Sequence, residues 1–205
     1  MHTEKSVAQD IVWVDVPLGY TFHPMNSYDT PDGGVVLDLC IYDRIFDKDL
    51  LGPFGDCSAR LVRWEINLQS RRVVETVIDS TPNEFPRHRG SLAGKPYRYG
   101  YCAQPDPNSM NWPTIKHDLH TGQRTVFDHG SGRAAGEPVF VARSGSTIED
   151  DGWLMTFVHD DNNVSTDFVV IDAQDFARGY VAQIKLPQRV PFGFHGSWVD
   201  ASVAN

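Results

Sequence analysis

The sequence predicts an all-β fold, and three observations lead to that prediction. Segments rich in β-branched and aromatic residues alternate with short polar turns along most of the chain. No amphipathic segment predicts a helix of more than two turns. The polar residues that end strands of successive hairpins, Asn67, Asp118 and Asp172, lie 51 and 54 residues apart. A repeat of about 50 residues made of antiparallel strands is typical of β-propeller blades, although a meandering β-sandwich would give a similar pattern.

In chain order, residues 1–10 are polar and are expected to form a disordered tail, and residues 11–205 to form part of a single β-propeller domain. Short strands are predicted at 11–16 and 18–22. Four blades of about 50 residues would just use the whole chain, but the first predicted strands begin abruptly, with no preceding segment to close a ring, so we expect part of a larger propeller. The other predicted strands are 35–42, 59–67, 72–79, 97–103, 114–118, 123–127, 152–158 and 165–171.

The composition restricts the class of protein and its partners. A net charge of −9 and an isoelectric point near 5.2 leave no basic stripe for phosphates, so nucleic acid is not an expected partner. The three cysteines are odd in number and lack a C-x-x-C spacing, which predicts reduced thiols and a cytoplasmic location. No apolar run approaches the roughly 18 residues of a membrane span.

Two of the eight histidines, His23 and His195, stand out because both lie within apolar segments. His195 belongs to segment 186–198, which is interpreted as a strand followed by a proline-bounded bend. Its neighbours Phe194 and Trp198 predict a ring held in an apolar wall with space for a ligand. We expect the two histidines to converge on one metal ion, although a single histidine in such surroundings is more often a satisfied core residue.

Two glutamates support the metal hypothesis. Glu84 and Glu137 both lie beside proline and aromatic or β-branched residues, where an unpaired charge would be costly. A carboxylate that accepts a hydrogen bond from Nδ1 of a histidine fixes the tautomer and leaves Nε2 free for a metal. The alternative, in which the two glutamates form salt bridges with Arg87 or Arg143, stays open.

A second metal hypothesis is a zinc site made of His117, His120 and His129. The first two flank a predicted hairpin turn, so we expect their side chains to point into solvent rather than toward a shared ion. His88 and His159 are interpreted as surface residues.

Five motifs, in this order, resemble the C-terminal half of the carotenoid cleavage oxygenases, the family of carotenoid, apocarotenoid and stilbene dioxygenases that also includes a retinoid isomerase. The resemblance extends over about residues 11–199. The motifs are FHPMNSY at 22–28, NEFPR at 83–87, GEPVFVAR at 136–143, EDDGW at 149–153 and PFGFHG at 191–196.

The resemblance implies a seven-bladed propeller that holds one non-haem Fe(II) on its axis through four histidines, three of them oriented by glutamates. His23 matches the third histidine and His195 the fourth, while Glu84 and Glu137 match the glutamates behind them. The other two histidines and the third glutamate belong to an N-terminal half that is missing here. The resemblance therefore implies a fragment that is inactive alone.

The activity implied by the resemblance is O2-dependent cleavage of a conjugated carbon–carbon double bond to two carbonyl products. The expected partners are an apolar conjugated substrate, O2 and the missing N-terminal half, and membrane contact of the full-length parent stays open. The alternative is a non-catalytic, propeller-like β-domain that binds an apolar ligand or a partner chain.

Overall fold

The computed structural model describes residues 11–50, 55, 57–106 and 108–201, and this part of the chain is all-β, as predicted. The predicted tail at residues 1–10 lies outside the described residues. Short 3-10 turns occupy Gly90–Leu92 and Phe176–Arg178. The strands are β1 (Pro24–Asp29), β2 (Val35–Ile41), β3 (Arg60–Asn67), β4 (Arg72–Asp79), β5 (Glu84–His88), β6 (Tyr99–Ala103), β7 (Thr114–Asp118), β8 (Gln123–Phe127), β9 (Arg133–Ala135), β10 (Val139–Ala142), β11 (Gly152–Asp160), β12 (Ser165–Asp172) and β13 (Tyr180–Lys185).

The strands form three antiparallel sheets, and each sheet follows the order of the chain. The first sheet has the order β1-β2-β3-β4 and the second the order β5-β6-β7-β8. The third has the order β10-β11-β12-β13, and β9 pairs with the far end of β11. The three predicted hairpins are therefore β3–β4, β7–β8 and β11–β12, one in each sheet. Three successive four-stranded meanders are the pattern expected of propeller blades.

Three predictions of strands are wrong, and backbone pairing explains why. Segments 11–16 and 18–22 form no strand, apart from one bridge between Tyr20 and Tyr42. Segment 186–198 also contains no strand, since β13 ends at Lys185. Apolar composition alone predicted these strands, but a strand needs a neighbour to accept its backbone hydrogen bonds.

The sheets pack face to face, and each interface has its own apolar cluster. The cluster between the first and second sheets contains Met25, Cys40, Tyr42, Leu61, Tyr97 and Cys102. The cluster between the second and third sheets contains Tyr101, Phe127, Phe140, Leu154, Val158, Val169 and Ile171. The first strand of the second sheet, β5, contacts both β1 and β10, the first paired strands of the sheets beside it. β5 therefore lies between β1 and β10.

The three described cysteines are free thiols. Within the described residues, no helix has the length and apolarity that a membrane span requires.

Candidate metal centre

His23 and His195 lie against each other although 171 residues separate them in the sequence. Their ring centroids are 4.8 Å apart, and the ring planes are nearly perpendicular at 85°. His23 directly precedes β1, whereas His195 lies in the irregular segment after β13. Sheet packing brings these segments together, since no local turn joins them.

The His23 ring is held by Glu84, the first residue of β5. Nδ1 of His23 lies 2.5 Å from Oε2 of the buried Glu84 carboxylate. The backbone N–H of Phe85 donates to the same oxygen at 2.8 Å, and the hydroxyl of Tyr42 donates to Oε1 at 2.8 Å. Because a carboxylate only accepts hydrogen bonds, Nδ1 of His23 is the protonated nitrogen and Nε2 is the free one.

The backbone at Phe85 is strained in a way that serves this contact. Phe85 has a φ of 53°, in the left-handed region that a bulky residue rarely adopts. The pairing of β5 with β6 shifts register between Glu84 and Arg87, which marks a β-bulge. Such strain costs on the order of 1–3 kcal/mol and is found mainly at functional sites. Here it turns the Phe85 N–H onto the Glu84 carboxylate.

Tyr42 is fully buried at the end of the first sheet's second strand. Burial, and then the Glu84 carboxylate, raise the pKa of Tyr42 far above its ordinary value. The hydroxyl therefore keeps its proton and remains a donor to Glu84.

Glu137 holds the second histidine from the loop between β9 and β10. Nδ1 of His195 lies 3.0 Å from Oε1 of Glu137, and the N–H of Gly196 donates to Oε2 at 2.7 Å. Arg87 also approaches Oε1 at 3.5 Å, so for Glu137 the histidine contact and the salt bridge exist together. Arg143 pairs instead with Asp151.

Apolar residues line a cavity beside His195, as predicted, but they do not enclose its ring. The His195 side chain is 57% exposed, although its partner Glu137 is only 5% exposed. Phe194 and Trp198 are also largely exposed. The irregular segment after Lys185 lies over the sheets rather than inside them.

The two Nε2 atoms are candidate metal ligands. Neither Nε2 forms a hydrogen bond with another described residue. Neutral imidazole nitrogens suit Fe(II), and a carboxylate behind each ring raises its basicity as a ligand. In the part of the chain that the structure describes, no three His, Cys, Asp or Glu side chains form a complete metal-binding group. By donor chemistry, the two imidazoles suit an iron ion, as two of the four histidines that the family resemblance implies.

The alternative zinc site is not assembled among the described residues. His120 is exposed, as predicted, but His117 is buried and its Nε2 bonds to Oδ1 of Asn83 at 2.9 Å, so its predicted exposure is wrong. Both ring nitrogens of His129 are engaged by hydroxyl groups, Nε2 by Thr114 and Nδ1 by Tyr180.

The surface assignment of His159 is also wrong. This residue is 3% exposed, and its ring packs against that of Phe192, with centroids 3.9 Å apart and the planes tilted by 33°. His88 is half-buried rather than exposed.

The buried His129 gives a testable pH dependence. Burial, and then Arg133, lower the pKa of His129 to about 3, while Asp128 acts in the opposite direction. In the unfolded chain a histidine takes up its proton near pH 6.5. Between these values the unfolded state binds more protons, so the free energy of unfolding falls as the pH falls. From this residue we expect a loss of about 2 kcal/mol between pH 7 and pH 5, measured by urea denaturation.

The control for this prediction is His129→Gln, which keeps a polar side chain between Thr114 and Tyr180. Burial also lowers the pKa of His88 and His159, so only the difference between the two proteins isolates His129. In the variant, the free energy of unfolding should fall less steeply as the pH falls. The difference in slope should correspond to about one fewer proton taken up on unfolding. An identical slope in both proteins would contradict the prediction.

A cavity of about 280 Å³ opens beside His195. Its apolar lining includes Val139, Met155 and Phe168, with Phe194 and Trp198 at its edge. The polar residues that line it are few, namely Glu137, Thr156, His159, His195 and Ser197. An apolar cavity with few polar groups is typical of sites that bind small apolar molecules.

Comparison with known proteins agrees with this architecture. The sequence profile of the family described as retinal pigment epithelial membrane protein matches residues 2–200. A carotenoid cleavage oxygenase of Mycobacterium tuberculosis is 36% identical over 204 residues, which are 95% of this chain and 40% of the relative. The apocarotenoid-15,15'-oxygenase of Synechocystis is 31% identical over 200 residues, 93% of this chain and 41% of the relative.

The crystal structure of cobalt-substituted Synechocystis apocarotenoid oxygenase matches with a TM-score of 0.83 and 29% identity, covering 92% of this chain and 41% of that one. These propeller enzymes confirm the predicted fold class. The chain spans about 40% of the length of the curated relatives it matches. This chain belongs to the family that unites the retinal pigment epithelial membrane protein and the carotenoid cleavage oxygenases.

Proposed function

We propose that this chain supplies two iron-binding histidines, His23 and His195, to a non-haem Fe(II) dioxygenase. The reaction is cleavage of a conjugated carbon–carbon double bond of a carotenoid, apocarotenoid or stilbene by O2, which yields two carbonyl products. The observation that carries the proposal is the pair of rings 4.8 Å apart, each bonded through Nδ1 to a buried glutamate. The relatives named carotenoid and apocarotenoid oxygenases support the class of reaction.

The protein's own residues prepare the site. Iron, when bound, supplies the activation of O2. Glu84 and Glu137 fix the tautomers of the two neutral imidazoles, so that Nδ1 carries the proton and Nε2 is the ligand nitrogen. The largely apolar lining of the cavity beside His195 suits the apolar chain of a polyene.

Two histidines are half of the four that the family resemblance implies. We therefore expect weak metal binding and no cleavage activity from this chain alone. The remaining ligands are expected from a segment equivalent to the part of the relatives that this chain does not span. We also propose a cytoplasmic location, which suits the three free thiols.

Titration with Co²⁺ tests the metal site, since a structurally similar relative has been crystallised with cobalt. Cobalt is expected to bind the purified chain, with an absorption spectrum typical of nitrogen ligands. Replacing His23 or His195 with alanine should weaken binding at least about tenfold, because each removes one of two ligand nitrogens.

The matched control is His120→Ala, which removes an exposed histidine that contacts neither ring. Its affinity for Co²⁺ should equal that of the wild type. If His23→Ala and His195→Ala bind Co²⁺ as tightly as the wild type, the assignment of the site is wrong.

The second candidate function is non-catalytic binding of an apolar ligand, and the cavity beside His195 favours it. This function requires no metal. A fluorescent polyene would then bind His23→Ala and the wild type equally well, and binding would not respond to Co²⁺. Dependence of polyene binding on Co²⁺ would favour the dioxygenase.

A further inference from the structure

His195 is positioned without the help of regular secondary structure. The segment from Leu186 to Ala201 contains no strand, and the side chain of His195 is 57% exposed. His23, by contrast, lies directly before β1 and is 18% exposed. A ligand on an irregular and exposed segment needs specific contacts to hold its ring at one orientation.

Arg87 connects the elements around that segment. It lies in β5 of the second sheet, whereas Glu137 lies at the start of the third. One guanidinium nitrogen, Nη1, lies 3.5 Å from Oε1 of Glu137, and Nη2 donates to the carbonyl oxygen of Gly196 at 3.3 Å. The N–H of Gly196 in turn donates to Oε2 of Glu137 at 2.7 Å. These contacts close a ring of hydrogen bonds beside His195.

The chemistry of this ring differs from that around the other glutamate. Glu84 receives hydrogen bonds from the neutral groups of Tyr42 and Phe85, whereas Glu137 faces the permanent positive charge of Arg87. The two contacts of Arg87 are longer than the 2.7–2.9 Å of strong charge-assisted bonds. The planar guanidinium group of Arg87 therefore acts mainly by holding the Glu137 carboxylate and the Gly196 carbonyl in fixed positions relative to each other.

We propose that Arg87 is a positioning residue for His195. By holding the Glu137 carboxylate and the Gly196 carbonyl together, it fixes the backbone beside His195 and keeps the accepting oxygen opposite Nδ1. Without Arg87 the ring would sample other orientations, and both tautomers would be populated. The inference rests on the proposed function only in taking Nε2 of His195 as a metal ligand.

The test begins with the metal-free protein, labelled with ¹⁵N in its histidines. In the wild type, the two ring nitrogens of His195 should have the distinct shifts of a fixed tautomer with Nδ1 protonated. In Arg87→Gln and Arg87→Ala, these shifts should move toward each other, while those of His23 stay in place. Arg87→Lys should give an intermediate result, and added methylguanidinium should restore the wild-type shifts in Arg87→Ala.

The second readout is affinity for Co²⁺, which should fall about tenfold in Arg87→Gln, the low end of the range for residues that orient a ligand. The control is Arg89→Gln, because Arg89 donates to Ile148 and Ser146 and contacts neither glutamate. Unchanged His195 shifts and unchanged Co²⁺ affinity in a folded Arg87→Gln protein would overturn the proposal. If the shifts change but the wild type binds no Co²⁺, the role of Arg87 stands and the proposed iron site fails.

Discussion

Replacing Glu84 with glutamine is expected to weaken binding of Co²⁺ by about 10- to 100-fold, the range typical of residues that orient a metal ligand. Glutamine keeps the volume of the side chain but loses the charge that holds Nδ1–H of His23. In the wild type, Tyr42, Phe85 and His23 each donate a hydrogen bond to the Glu84 carboxylate. The amide NH2 of glutamine is itself a donor and cannot accept one of these hydrogen bonds. One buried donor is left unsatisfied, which costs about 1–3 kcal/mol of folding free energy.

The measurement is a Co²⁺ titration combined with thermal unfolding, and Glu75→Gln is the matched control. Glu75 accepts a hydrogen bond from Trp64 at 2.8 Å and contacts Arg60, but it touches no histidine. Glu75→Gln should lower stability without changing Co²⁺ affinity. Equal Co²⁺ affinities in Glu84→Gln and the wild type would show that Glu84 does not orient a metal ligand.

Replacing Asp38 with leucine is expected to destabilise the protein by about 3–5 kcal/mol, because it breaks a buried ion pair and leaves the cation behind. Asp38 is fully buried in β2 and accepts two hydrogen bonds from Arg63, at 2.7 and 2.8 Å. It also accepts a hydrogen bond from Tyr97 at 2.6 Å, which ties the first sheet to the second. Urea denaturation measures the effect.

Asp43→Leu provides the comparison, because Asp43 also pairs with an arginine, Arg60, at the edge of the same sheet. The Asp43 side chain is 74% exposed, so this pair should contribute less than about 1 kcal/mol. If the two substitutions lower the free energy of unfolding by the same amount, burial does not determine how much these ion pairs stabilise the protein. Retention of wild-type stability in Asp38→Leu would contradict the prediction, because it would show that the unpaired Arg63 costs no folding free energy.

The candidate site was partly predictable from the sequence. His23 and Glu84 were selected because each lies among apolar residues, and the structure places them in contact. Tyr42 was not selected, because a tyrosine at the end of an apolar strand has the same pattern as any core aromatic. Arg87 was considered only as the salt-bridge alternative, yet it contacts Glu137 together with His195. Residue type and spacing do not show that one carboxylate accepts from several partners.

The sequence by itself determined the class of fold, the hairpins and the family. Alternation of apolar residues and the chemistry of turns act over a few residues, so hairpins such as β3–β4 and β11–β12 can be recognised locally. Strands such as β1, β5 and β10 were missed because they are short and contain or adjoin prolines. That β5 lies against both β1 and β10 follows only from the packing of the sheets.

The same division explains the errors at the histidines. Burial of His117 and His159, and exposure of His195, follow from which sheet or segment covers each ring. The contact between His23 and His195 follows from the packing of three sheets against one another. Local patterns specify strands and turns through short-range interactions, whereas the site depends on contacts between residues far apart in the chain, which form only when the sheets pack.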